Sequence, residues 1–226
     1  MDVRRMGGAV AAMAGAAAGS LTGPAAVAAP GVCDGLAGCR VVAHADVDGD
    51  GHPDTVGVAS RGAKGAEKGS VIVRVMTAPG KIVSDIRATE FWYGPPYQGA
   101  APVDARPGSE IFVGRQVGAH TEAFRALTWR GGGLVDLDAP GREHFWIVDG
   151  AYSVVYGWLK VPSDPDGIVY KRTASRVGNT DSFLGRITKY RSAGDAWTQV
   201  WSHPLTVSEK VAGGWVGFHI RGLQDY

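Results

Sequence analysis

The sequence predicts an all-β fold of short antiparallel strands grouped into blades, resembling a partial or small β-propeller, with a β-sandwich of the same units as the alternative. Three observations carry this. Glycine occurs 34 times in 226 residues and is joined by 12 prolines, so turns are many and strands short. Runs of β-branched and aromatic residues recur between those turns, and no long stretch carries a helical period. A strand–loop–strand pattern also returns at a spacing of roughly 45–50 residues, the rhythm of blade repeats.

The composition suits one ordinary globular domain with a sizeable core, being 45% hydrophobic and 20% charged. Formal net charge is +1, from 23 basic and 22 acidic residues. That balance lacks the excess of Lys and Arg a nucleic-acid partner would require.

Residues 1–28 read as a signal peptide. Arg4 and Arg5 give a positive start, Gly7 to Gly19 is uncharged and Ala-rich, and Ala26-Val27-Ala28 supplies small residues at alternate positions for cleavage. Ala and Gly are too weakly apolar for a spanning segment, and no later run is long and apolar enough. The expected location is therefore secreted, either extracellular or cell-wall associated. Without Asp2, Arg4 and Arg5, residues 29–226 are formally neutral.

Residues 29–226 form a single β-rich domain in this reading. Its first feature is Cys33 and Cys39 in a Gly-rich stretch. An exported chain meets an oxidising environment, so a close pair reads as a disulfide, contributing on the order of 2 kcal/mol. Residues 40–87 form a first repeat. Arg40 to Ala45 and Thr55 to Ser60 are strands around an acidic loop, and 61–69 is a small, charged hairpin tip. Ser70 to Met76 is a third strand, before a Pro79-Gly80 turn.

Residues 88–138 form a degenerate second repeat. Val103-Asp104 followed by Glu110-Ile-Phe-Val echoes Val47-Asp48 followed by Asp54-Thr-Val-Gly-Val. Residues 116–126 are assigned at most one or two helical turns. From 139 to 226 further strands follow, at Phe145–Val148, Ser153–Leu159, Ile168–Tyr170, Ile187–Tyr190 and Trp197–Trp201. There the acidic motif has decayed to Asp164-Pro-Asp-Gly167.

The segment richest in chemistry is Asp46-Val-Asp48-Gly-Asp50-Gly-His52-Pro-Asp54. Calcium takes six to eight oxygen ligands at roughly 2.3–2.6 Å. Alternating carboxylates on a loop that folds at Gly49 and Gly51 can supply them. Side-chain oxygens are assigned to Asp46, Asp48, Asp50 and Asp54, and a backbone carbonyl to His52. Four acidic groups this close repel one another without a cation. Magnesium suits the loop less well, because it keeps its waters. An EF-hand would place a bidentate Glu at its twelfth position, where this chain has Gly57, and would flank the loop with helices rather than strand-like runs.

On these residues the loop resembles the FG-GAP repeat of integrin α chains, in which Asp-x-Asp/Asn-x-Asp-Gly-x-x-Asp joins two strands of a propeller blade. The chain is also similar to secreted actinobacterial proteins with one intact loop and a degenerate second copy. The resemblance is close over about 20 residues and looser over 40–135. It implies bound calcium and propeller-like blades. The Phe-Gly and Gly-Ala-Pro signatures of the family are not clearly present.

Other constellations are weaker. His120, Glu122, Glu143 and His144 match no metal or acid–base spacing, and Ser153, Ser182 and Ser192 lack a nucleophile elbow. Trp92, Tyr93 and Tyr97 form a candidate ligand patch for a sugar or peptide, set against the commoner use of aromatic rings as core. The function expected is a secreted, non-catalytic, calcium-stabilised binding or scaffold domain with an extracellular protein or carbohydrate partner. A secreted hydrolase is the alternative.

Overall fold

The computed structural model describes residues 30–62, 68–91, 94–141 and 143–225. The leader expected at 1–28 and most of the hairpin tip expected at 61–69 lie outside them. Gly31–Tyr226 is one compact unit.

The chain is all-β, and among the described residues its strands pair antiparallel with one exception. The first four strands, β1 (Arg40–Ala45), β2 (Asp54–Arg61), β3 (Gly69–Met76) and β4 (Ile82–Thr89), pair in sequence order as a four-stranded sheet. The same meander is repeated by β5 (Tyr97–Ala101), β6 (Glu110–Val117), β7 (Thr121–Arg130) and β8 (Gly133–Leu137). It is repeated again by β10 (Val154–Leu159), β11 (Ile168–Arg176), β12 (Ser182–Ala193) and β13 (Ala196–Ser208). Each of these three units places an eight-residue loop between its first and second strands, at 46–53, 102–109 and 160–167.

Strand β9 (Trp146–Gly150) joins the second and third units. It takes the Thr121–Phe124 half of the β7 edge, while β8 takes the Ala126–Arg130 half. Its other edge pairs with β10, which makes one ten-stranded sheet of the two units. The exception to antiparallel pairing is β14 (Gly217–His219), which runs parallel to β10 after the short helix α1 (Glu209–Gly213).

Two apolar layers separate the three units. Val56, Val58, Val71, Val73 and Val75 of the first pack on Ile111, Val113, Leu127 and Leu134 of the second. The other face of the second unit, with Phe112 and Phe124, meets Trp146, Trp158, Val169 and Tyr190. Strand alternation explains this division: Ile111 and Val113 point one way, Phe112 the other. The aromatic layer is knit by edge contacts, with Phe112 centroids 5.1 Å from Trp146 and 5.5 Å from Phe218.

Both outer faces are covered by segments that lie outside the three meanders. Cys33 and Cys39 form the expected disulfide, and their loop lies on the first unit with Leu36 against Ala59 and Ile72. Arg74 fastens it, donating to the Asp34 carbonyl at 2.7 Å. At the far end, Ala212 and Trp215 pack on Val155, Ala174 and Phe183 of the third unit.

After β14 the chain runs along the second unit, where Ala100 N donates to Gly222 O at 3.1 Å and Gln224 N to Gln98 O at 2.9 Å. Close backbone approach is what makes this path available. A Cβ on Gly157, in mid-β10, would collide with the carbonyl oxygen of Trp215.

The helical turns expected within 116–126 are not formed. That stretch is the β6–β7 hairpin, closed by Gly118 N donating to Thr121 O at 2.7 Å. Ala123 and Glu122 have acceptable helix propensity, but pairing on both sides of β7 overrides it.

Candidate metal centre

The loop at 46–53 is folded by its own carboxylates. Asp46 accepts from Gly49 N at 2.8 Å and from Gly51 N at 3.0 Å, one bond to each oxygen. Asp48 Oδ1 accepts from Asp50 N at 3.2 Å, and Asp50 Oδ1 from His52 N at 2.8 Å. Such local side-chain to backbone bonds are what Asp offers in turns. Gly49 and Gly51 have φ of 80° and 85°, values an L side chain resists.

This folding brings three of the predicted residues together. One carboxylate oxygen each from Asp46, Asp48 and Asp50 lies within 4.8 Å of the others. Asp46 and Asp48 are half-buried and Asp50 is exposed. Burial raises the Asp48 carboxyl above its ordinary range, and the negative charges of Asp54, Asp50 and Asp46 add to the rise against the Asp50 amide. The donor set is all oxygen and anionic, which fits a hard divalent cation.

The fourth predicted side-chain ligand, Asp54, sits differently: it is the first residue of β2 and is fully buried. Its Oδ2 accepts from Val47 N at 2.8 Å and Asp48 N at 3.2 Å, and its Oδ1 from Ala78 N at 3.0 Å. His52 is at the exposed tip, its side chain 74% accessible and its Nδ1 3.5 Å from Asp50 Oδ1.

An acid in each of the equivalent loops of the other two units meets a side-chain cation. In the second, Arg130 bonds Asp104, which is fully buried. In the third, Lys160 stands first in the loop, where Asp46 stands in the first unit. Its Nζ donates to Asp166 Oδ1 at 2.5 Å and to Pro102 O of the second loop at 2.6 Å. Among the described residues, no Lys or Arg forms an ion pair with Asp46, Asp48 or Asp50. The first and second loops also touch, through Ser109 N donating to Asp46 O at 2.7 Å.

Of the candidate ligand patch, Tyr97 alone falls within the described residues, and Trp92 and Tyr93 lie outside them. Tyr97 is half-buried against the valine layer, and burial pushes its hydroxyl up to about 12. His120 and Glu122 line one shallow hollow, Glu143 and His144 another. Glu143 is bonded to Lys171 at 2.6 Å, and His144 Nδ1 is 3.2 Å from Asp138.

The Arg130–Asp104 pair and the buried Glu110 beside it were not singled out in the sequence as a charged cluster. The only signal for them is the Val103-Asp104…Glu110 echo of the first loop. No helix among the described residues is long and apolar enough to cross a membrane. No protein-family model, curated protein or solved structure matches the chain.

Proposed function

We propose that this chain is an exported, non-catalytic binding or scaffold domain whose first loop is stabilised by calcium on Asp46, Asp48 and Asp50. The observation that supports this reading is the contrast among the three loops. The acids of the other two meet Arg130, or Lys160 and Lys189, and among the described residues the first gathers three carboxylates with no Lys or Arg partner. Close like charges favour a cation in proportion to their mutual repulsion. Asp54 has a different part in this reading: it spends both oxygens on backbone amides and fixes the loop's entry and exit. Kinship with FG-GAP repeats belongs to the same proposal, and the strand–loop–strand arrangement of the three units favours it.

The test is calorimetric titration of calcium into the chelator-treated chain, with melting curves alongside. One site and a raised melting temperature are expected. At 100-fold saturation above Kd the gain is about 2.7 kcal/mol. In the Asp48→Asn, Asp50→Asn double variant both signals vanish while the chelator-treated melting temperature changes little. Absence of heat and shift in the parent chain would sink the calcium reading.

A further inference from the structure

The second unit buries two carboxylates that share one guanidinium. Asp104 is 0% exposed and Glu110 2%. Arg130 bonds Asp104 directly and reaches Glu110 only through a hydroxyl. Its Nη1 donates to Thr128 Oγ1 at 2.8 Å, and Thr128 Oγ1 donates to Glu110 Oε1 at 2.9 Å. Asp104 and Arg130 neutralise each other, so an ionised Glu110 is one negative charge too many in the interior. A buried charge without its own counter-ion is costly enough that the group takes up a proton instead.

The hydrogen bonding around Glu110 accommodates both states. Oε2 accepts from Val103 N at 2.8 Å and Asp104 N at 3.3 Å whether or not the group is ionised. The Thr128 hydroxyl donates to an ionised Oε1 and, by turning, accepts from a protonated one. The other charged groups are further out. Asp195, in the β12–β13 turn, meets Arg130 at 3.1 Å and Arg106 at 3.3 Å and is 74% exposed, so solvent screens it. Lys160 is held at the start of the loop by Pro102 O and by Asp166. The first loop faces this one through the backbone of Asp46.

We propose that Glu110 binds a proton in the folded chain and makes the second unit a pH-sensitive element. Its direction follows from linkage. Burial, with the charge of Asp104 added, pushes Glu110 up to about 7 from an ordinary 4.5, against the pull of its amide and hydroxyl donors. Between those values the folded chain holds a proton that the unfolded chain has released. The stability contributed by this group is full below about 4.5 and is lost as pH rises through about 7.

The test compares the full chain with Glu110→Gln, which imitates the protonated acid by donating to Thr128 and accepting the two amides. Denaturant unfolding is followed from pH 5 to pH 8 in chelator, so that cation binding at the first loop does not enter. The parent loses stability across this range by more than its histidines explain, the variant has a flatter profile, and the two diverge most at pH 8 with the variant more stable. Superimposable profiles would overturn the proposal. Carboxyl carbon NMR of the parent chain supplies the second measurement should the variant fail to fold. A Glu110 resonance titrating near neutrality supports the proposal, and one titrating in the ordinary carboxylate range refutes it.

Discussion

Asp54 and Glu110 hold the same post in successive units. Each opens the second strand of its meander, and one carboxylate oxygen of each accepts the backbone N–H of the residues seven and six positions earlier. These are Val47 and Asp48 for the first, Val103 and Asp104 for the second. The remaining oxygen reaches across to a neighbouring segment, to Ala78 N or to the Thr128 hydroxyl. The acid is thus a staple for the loop, and its second bond ties that loop to the third strand in the second unit and to the turn just after it in the first.

Removing the staple in the first unit should be severe. Asp54→Ala leaves three backbone donors without their acceptor in a fully buried place. Stranded buried donors cost about 1–3 kcal/mol each, so a loss of at least about 3 kcal/mol is expected in urea unfolding. The loss should be present in chelator as well as in calcium. A loss confined to calcium would mean that Asp54 acts through the ion.

A different prediction concerns the inner path of the C-terminal segment. Gly157→Ala sets a methyl against the Trp215 carbonyl, which is backbone and cannot swing aside. Overpacking of this kind costs about 1–3 kcal/mol and at times more. The cheapest relief is separation of β14 from β10. Hydrogen exchange at Gly217–His219 should accelerate selectively, ahead of the amides in β2 and β3. Uniform protection would count against it.

The disulfide offers a third test. Cys33→Ser with Cys39→Ser frees the loop that covers Gly57, Ala59 and Ile72. Loss of a short cross-link costs on the order of 2 kcal/mol. Exposure of Leu36 and Ile72 should also raise binding of a hydrophobic dye. A variant with unchanged unfolding midpoint and no dye signal would show that the apolar contacts suffice without the bond.

The acidic loop was legible because its chemistry is local: alternate carboxylates and two glycines lie within nine residues, and Asp46, Asp48 and Asp50 do converge. The division of labour within it was not legible. Spacing does not reveal that Asp54 faces inward, because that depends on Ala78 lying alongside. The second repeat could be read from Val103, Asp104 and Glu110, since the staple survives there. The third was faint, because Ile168 replaces the staple and Lys160 the first acid. Residues 116–126 misled through propensity. The C-terminal path depends on contacts between distant parts of the chain, and its traces in the sequence are glycines in mid-strand, Gly99 and Gly157, of the kind that marks close backbone approach.

The covers at the two ends bear on how such a chain can lengthen. The disulfide loop seals the far side of the first unit, and Trp215 rests on Gly185 of the third. Repeat arrays need capped ends to stay soluble, and here the caps are the disulfide loop and the segment that carries Trp215. A duplicated unit stacked on either outer face would meet a surface already occupied. A unit inserted between existing ones would meet apolar faces on both sides. Growth of this architecture by duplication is therefore confined to its interior.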